Sequence, residues 1–169
     1  SIAARRAAID GELARTRISL VHEGRSTVAL PLVERLVAVI EQTEAGERIA
    51  FSLACDEKET LPLASDDAAE LLGPLLENAA RHARRLVRIA VETVASDRVL
   101  TVGDDGPGLD SAQRDEAILR GARLDSADEG YGLGLAIARE LAEATRGELT
   151  LARSPLGGLE VRVRWTLSD

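Results

Sequence analysis

Val102-Gly103-Asp104-Asp105-Gly106-Pro107-Gly108 carries an apolar strand into a glycine-rich loop headed by paired carboxylates. Asp-Gly and Gly-Pro are turn formers, so the stretch taken alone reads as a solvated turn. The other reading makes Asp104 an acceptor for an exocyclic amine, the edge that separates adenine from guanine, with glycines leaving room for the base. Its neighbours bear on the choice. Upstream, Glu77-Asn78-Ala79-Ala80-Arg81-His82 falls on a helix; downstream, Gly130-Tyr131-Gly132-Leu133-Gly134-Leu135 opens another. A Gly-x-Gly-x-Gly run also serves as a tight loop or as a helix packed closely on a sheet. In a functional site, Gly132 and Gly134 would let backbone N–H groups approach an anion at the positive end of the helix.

Working outward, apolar spacing predicts helices over residues 1–23, from Pro31 to about Glu44, from a cap at Ser65 or Asp66 to about Ala83, and over 132–145. Strands are expected at 26–30, 49–54, 86–94, 98–102, 148–152 and 159–166, and 59–63 is expected to pair with 49–54. Residues 104–130 are rich in Gly, Asp and Arg, with a helical piece near 113–120, and a loop of that length reads as a functional lid. Pro74 should bend the third helix. Helices mixed with mostly hairpin-connected strands predict an α+β class: a two-layer α/β sandwich with helices on one face of a mixed or largely antiparallel sheet.

The 169 residues suffice for a single ordinary domain, and with 45% hydrophobic but only 2% aromatic residues its core must be built from Leu, Val, Ile and Ala. No run approaches the roughly 20 apolar residues of a membrane span, and the start lacks the apolar segment of a signal peptide. Without Met and opening on Ser1, the chain reads as a piece of a longer protein. A single Cys, Cys55, excludes an internal disulfide and suits a reducing cytoplasm. A formal net charge of −8 with no basic run argues against nucleic acid, whose phosphates require neutralising cations. It argues less against a nucleotide, which backbone amides and Mg2+ can hold in an acidic protein.

In order, spacing and strand–helix context, the three elements together resemble the N box and the two glycine boxes of the superfamily of gyrase, Hsp90, histidine kinases and MutL. The short third element is most similar to sensor histidine kinases of two-component systems. The match covers roughly residues 26–165, the catalytic ATP-binding domain with its Bergerat-type fold. The resemblance makes residues 1–24 the last part of a dimerisation and phosphoacceptor hairpin, and 25–169 the catalytic domain. Leu119-Arg120-Gly121-Ala122-Arg123-Leu124-Asp125 resembles the PhoQ-like branch.

That resemblance implies ATP and Mg2+ as cofactors. It makes Asn78 the Mg2+ ligand and Asp104 the reader of the adenine amine, with Gly106 and Gly108 lining the base pocket. Gly132, Leu133, Gly134 and Leu135 would offer amides to the phosphates. Arg81 would be a basic phosphate contact, and His82 would pack beside adenine. Arg123, with Arg120 second, would be the lid cation that stabilises charge on the transferring phosphoryl group. Several positions depart from the pattern. Pro74 stands where many relatives have an earlier Asn, Asp128 and Glu129 where a basic residue is common, and Tyr131 replaces a polar, metal-directed residue. Leu159 replaces a Thr that supports the adenine-reading Asp, and Leu119 takes the packing place of a lid Phe. Adenine recognition therefore reads as intact and the Mg2+-phosphate network as thinned.

Only His22 and His82 are present. Neither sits where the family's phosphoacceptor begins its hairpin, so the chain should bind ATP without phosphorylating itself. The expected function is transfer of the ATP γ-phosphate to a His elsewhere in the parent protein, feeding a response regulator. The implied parent is a homodimer and a cytoplasmic part of a sensor, with the fragment's own association left open. A nucleotide-binding regulatory module with weakened chemistry is the alternative, and an anti-sigma-type serine kinase a third. Gyrase-like and Hsp90-like ATPases need an acidic base where Pro74 stands.

Overall fold

The computed structural model describes residues 25–123 and 132–167. The helix expected over residues 1–23, including His22, lies outside them, as do Asp128, Glu129 and Tyr131. The elements run β1 (Thr27–Val28), α1 (Ala29–Glu41), β2 (Ala50–Cys55), β3 (Thr60–Leu61) and α2 (Ser65–His82). They continue with β4 (Leu86–Val94), β5 (Asp97–Asp104), α3 (Ser111–Arg123), α4 (Gly132–Ala144), β6 (Gly147–Arg153) and β7 (Leu159–Thr166).

Five strands form the main sheet in the order β2-β4-β5-β7-β6. β2 and β4 are parallel and the other pairs antiparallel, so the sheet is mixed, as the strand pattern suggested. Alternation puts Val91, Leu100, Val163 and Leu149 in register across four strands on one buried face. α1, α2 and α4 cover that face. The core is aliphatic: Leu32 and Val33 of α1, Leu72 and Leu76 of α2 and Leu141 of α4 are at most 2% exposed. Each such side chain contributes on the order of 2 kcal/mol by leaving water. The exception to the aliphatic rule is Trp165, 1% exposed, whose indole N–H donates to Thr145 Oγ1 at 2.9 Å and ties the end of α4 to β7.

Four expectations change. The segment 59–63 does not pair with 49–54: Thr60–Leu61 pairs antiparallel with Thr27–Val28 in a separate ribbon. Arg98 anchors this ribbon through an ion pair with Glu59 at 3.3 Å and hydrogen bonds to the Thr60 carbonyl and hydroxyl. The first strand is correspondingly short, because α1 already starts at Ala29. α1 also stops at Glu41 rather than near Glu44, since the Thr43 hydroxyl takes the Ile40 carbonyl at 2.6 Å and accepts from Gly46 N–H at 3.0 Å. Finally, neither Ser65 nor Asp66 caps α2. The cap position is Ala64, without a side-chain bond, and Asp66 and Asp67 lie in the first turn, where they favour the positive helix end. Pro74 lies inside an uninterrupted α2. Among the described residues no helix is long and apolar enough to cross a membrane.

Candidate functional site

The carboxyl end of β5 meets the end of α2 and the turn between β6 and β7. Asp104, the last residue of β5, is 3% exposed. Its Oδ1 accepts from Gly106 N–H at 2.8 Å and Leu159 N–H at 3.3 Å, and its carbonyl accepts from Gly158 N–H at 3.0 Å. Burial pushes the Asp104 carboxyl above the usual carboxylate range. The amides of Gly106 and Leu159 and the nearby His82 oppose that rise, and Asp105 adds to it. Leu159 thus supports the carboxylate through its backbone, where the sequence offers no hydroxyl.

The glycines here are matters of distance. A Cβ on Gly106 would lie 2.2 Å from the His82 carbonyl oxygen. On Gly158 it would lie 2.0 Å from Asp104 Oδ1 and 2.6 Å from Gly106 N. Gly108 has φ +70, a left-handed value that favours glycine, and its face abuts the Gly158 backbone. Gly158 was not singled out from sequence. The signal was present in Gly157-Gly158 ahead of a strand, but a glycine pair there reads as an ordinary hairpin turn.

Asp105 was also missed. Its carboxylate accepts from the backbone N–H groups of Arg84, Arg85 and Leu86 at 2.7, 3.0 and 3.2 Å. Partial burial acts to raise its pKa, yet the three donated hydrogen bonds prevail and hold it below the usual range.

α2 brings Asn78 to the start of α4. A Cβ on Gly134 would stand 2.9 Å from Asn78 Nδ2 and 3.1 Å from Pro74 Cβ, so the helices cross closely at a glycine. Pro74 has no N–H for the Glu70 carbonyl, and its ring packs instead against the first turn of α4. Asn78 is half-buried, and its Nδ2 is buried without a hydrogen-bond partner. Such an atom is costly unless something else completes the site. Gly132, Leu133, Gly134 and Leu135 are the first four residues of α4. Helical geometry leaves the N–H groups of that turn without carbonyl partners in the helix. Leu135 also buries its side chain in the core.

The structure therefore brings Asp104, Gly106, Gly108 and the His82 backbone to one corner, and Asn78 and Gly134 to a contact on the same helix α2. Arg81 is exposed on the last turn of α2. Arg120 and Arg123 lie at the end of α3, and their side chains lie outside the described set. Among the described residues no group of three or more His, Cys, Asp or Glu side chains could hold a metal. A hard cation here would rest on the Asn78 amide oxygen and on oxygens that a ligand brings. The unpartnered atom is the Asn78 amide nitrogen, a donor that suits a ligand oxygen, while its amide oxygen has the chemistry a hard cation needs and the contact with α4 is kept close by a missing Cβ.

Comparison with known proteins identifies the family. The family described as histidine kinase-, DNA gyrase B-, and HSP90-like ATPase matches residues 64–169. The chain is 48% identical over 122 residues to the sensor protein kinase CarS of Pseudomonas aeruginosa, covering 72% of this chain and 27% of CarS. To the two-component sensor PhoQ of the same organism it is 37% identical over 135 residues, covering 80% of this chain and 30% of PhoQ. The chain thus spans less than a third of these relatives. Among solved structures, the ATP-binding domain of PrrB from Mycobacterium tuberculosis superposes with a TM-score of 0.68 at 18% identity, covering 85% of this chain and 97% of that one. Full-length ShkA, solved with AMPPNP, gives 0.72 at 18% identity over 96% of this chain and 36% of its own. At such identities these two show the fold alone. With the family match spanning α2 through β7, the chain belongs to the histidine kinase-, DNA gyrase B- and HSP90-like ATPases.

Proposed function

We propose that this domain holds ATP with adenine against Asp104 and the triphosphate over the first turn of α4, for transfer of the γ-phosphate to a His beyond residues 25–169. The observation that carries the reading is the buried Asp104 carboxylate, fixed by the Gly106 and Leu159 amides while Gly158 N–H holds the residue's carbonyl. A carboxylate accepts from the adenine amine and leaves a guanine carbonyl unmatched. Gly106 and Gly108 leave space beside it, and His82 borders the base. The amides of Gly132, Leu133, Gly134 and Leu135 and the helix end favour phosphate. Arg81 supplies a cation, and Arg123, then Arg120, are assigned to the lid. Asn78 would hold Mg2+, which when bound neutralises charge on the phosphate oxygens.

Transfer breaks the bond between the γ-phosphorus and the bridging oxygen, forms a bond to an imidazole nitrogen and releases ADP. The chain's own part is positioning. The acceptor is assigned to the hairpin that residues 1–24 would complete, in a homodimeric parent whose phosphate passes to a response regulator in the cytoplasm.

Labelled ATP mixed with the chain and a separately supplied acceptor hairpin should label the hairpin and leave the chain unlabelled. No transfer at saturating ATP would sink the kinase reading. Pro74 motivates a second reading, because it packs on Gly134 where another amide side chain would assist Asn78. A regulatory module would bind ATP through Asp104 with an affinity indifferent to Mg2+.

A further inference from the structure

We infer that Asp105 is a positioning residue of the nucleotide site, the clamp that keeps the base-reading loop and the metal-bearing helix α2 in register. The inference rests on the ATP-binding reading above and adds a residue that neither the glycine pattern nor the Asp104 contact requires.

The Asp105 carboxylate takes three successive backbone donors that begin just past the Ala83 cap of α2. Arg84 and Leu86 reach Oδ1 at 2.7 and 3.2 Å, and Arg85 reaches Oδ1 and Oδ2 at 3.0 and 3.2 Å. In return, Asp105 N–H donates to the Leu86 carbonyl at 3.2 Å. The clamped peptide is held from its other side by Ala50 of the edge strand β2, whose N–H donates to the Arg85 carbonyl at 2.7 Å. Ion-to-amide hydrogen bonds are shorter and stronger than neutral ones, and a planar carboxylate serving three amides fixes direction as well as distance.

The spacing being fixed is tight. On one side stands the His82 carbonyl, 2.2 Å from where a Gly106 Cβ would be. On the other, Gly106 N–H holds Asp104 Oδ1 at 2.8 Å. A shift of a few tenths of an ångström between residues 82–86 and 104–106 therefore reaches Asp104 directly. It also reaches Asn78, which lies about a turn before His82 on the same helix. One carboxylate outside the pocket thus sets the distance between the group that reads the base and the group that faces the phosphates.

The test compares Asp105→Asn, which keeps an acceptor oxygen, with Asp105→Ala, which removes it, in the full chain. ATP affinity by calorimetry with Mg2+ should fall about tenfold or more in Asp105→Ala and by clearly less in Asp105→Asn. Thr145→Ala, which loosens the far end of α4 by removing the Trp165 partner, is the stability control and should bind ATP as wild type does. An Asp105→Ala variant that binds like wild type, or an Asp105→Asn variant as weak as Asp105→Ala, overturns the clamp. If the wild type binds no ATP, the functional reading fails, but amide exchange on the ligand-free chain still tests the clamp. Asp105→Ala should speed exchange at residues 84–86 and at Gly106 while β6 is unchanged; unchanged exchange at Gly106 overturns it.

Discussion

In the proposed site Asp104 would serve recognition at the expense of the fold. Its pKa in the folded chain is raised above the ordinary 3.8 by burial, so the proton is bound more tightly folded than unfolded. The stability it contributes is complete below the unfolded value and is lost as pH rises through the folded value. At neutral pH the buried charge is therefore a cost that hydrogen bonds from Gly106 and Leu159 only offset. Asp104→Asn should melt no lower than wild type by calorimetry while losing more than about tenfold in ATP affinity, because an amide facing the adenine amine can present a donor instead of an acceptor. Binding should carry the opposite pH sign. The adenine amine favours the ionised carboxylate, so ATP affinity should decline as pH falls through the raised value, with a proton released on binding near it. An affinity flat down to the ordinary carboxylate range would show that Asp104 does not read the base. Asp104 could be singled out because its glycine loop stands in order between the Asn78 helix and the Gly132 run. Gly158 could not, since its role is a 2.0 Å approach from residues far along the chain.

At the level of elements, α2 and α4 are joined where Gly134 admits Pro74 and Asn78. Adding a methyl there sets two effects against each other. Ala is the better helix former by about 1 kcal/mol, while crowding a packed contact costs about 1–3 kcal/mol. Gly134→Ala should therefore move stability by no more than about 2 kcal/mol. The nearest atom, Asn78 Nδ2, is the movable end of a side chain, so the displacement should fall on Asn78. The expected signature is a selective one: ATP binding without Mg2+ nearly unchanged, and the strengthening by Mg2+ reduced several-fold, measured by paired titrations. Full Mg2+ dependence in Gly134→Ala would mean that Asn78 is not held by this contact. Periodicity located α1, α2, α4 and the hairpins β4–β5 and β6–β7, because each buries one face over many residues. It misplaced the partner of Thr60–Leu61, since two residues hold no period and their pairing is decided by Arg98 and Glu59. The Asp105 clamp escaped for a related reason: its donors are backbone amides, to which sequence is blind.

Across the whole molecule, the proposed site is made by parts drawn from both layers of the sandwich. α2, the end of β5, the β6–β7 turn and the start of α4 converge on Asp104 and Asn78, while the aliphatic core and Trp165 secure the rest. An unfolded chain presents none of this geometry, so a ligand that needs all four parts binds only the folded state and stabilises it by mass action. At ATP a hundredfold above its dissociation constant the gain is about 2.7 kcal/mol. For a chain of this size about 2–4 °C accompanies each kcal/mol, which gives a rise in melting temperature of roughly 5–10 °C. The rise should appear in a single transition, because the site spans helices and strands of one core, and it should shrink sharply in Asp104→Asn. A melting curve that split on adding ATP, with one part rising and the other fixed, would show that α2 and α4 unfold apart from the sheet. The sandwich would then be two cooperative units instead of one. A rise of equal size in Asp104→Asn would place the bound nucleotide somewhere other than this corner.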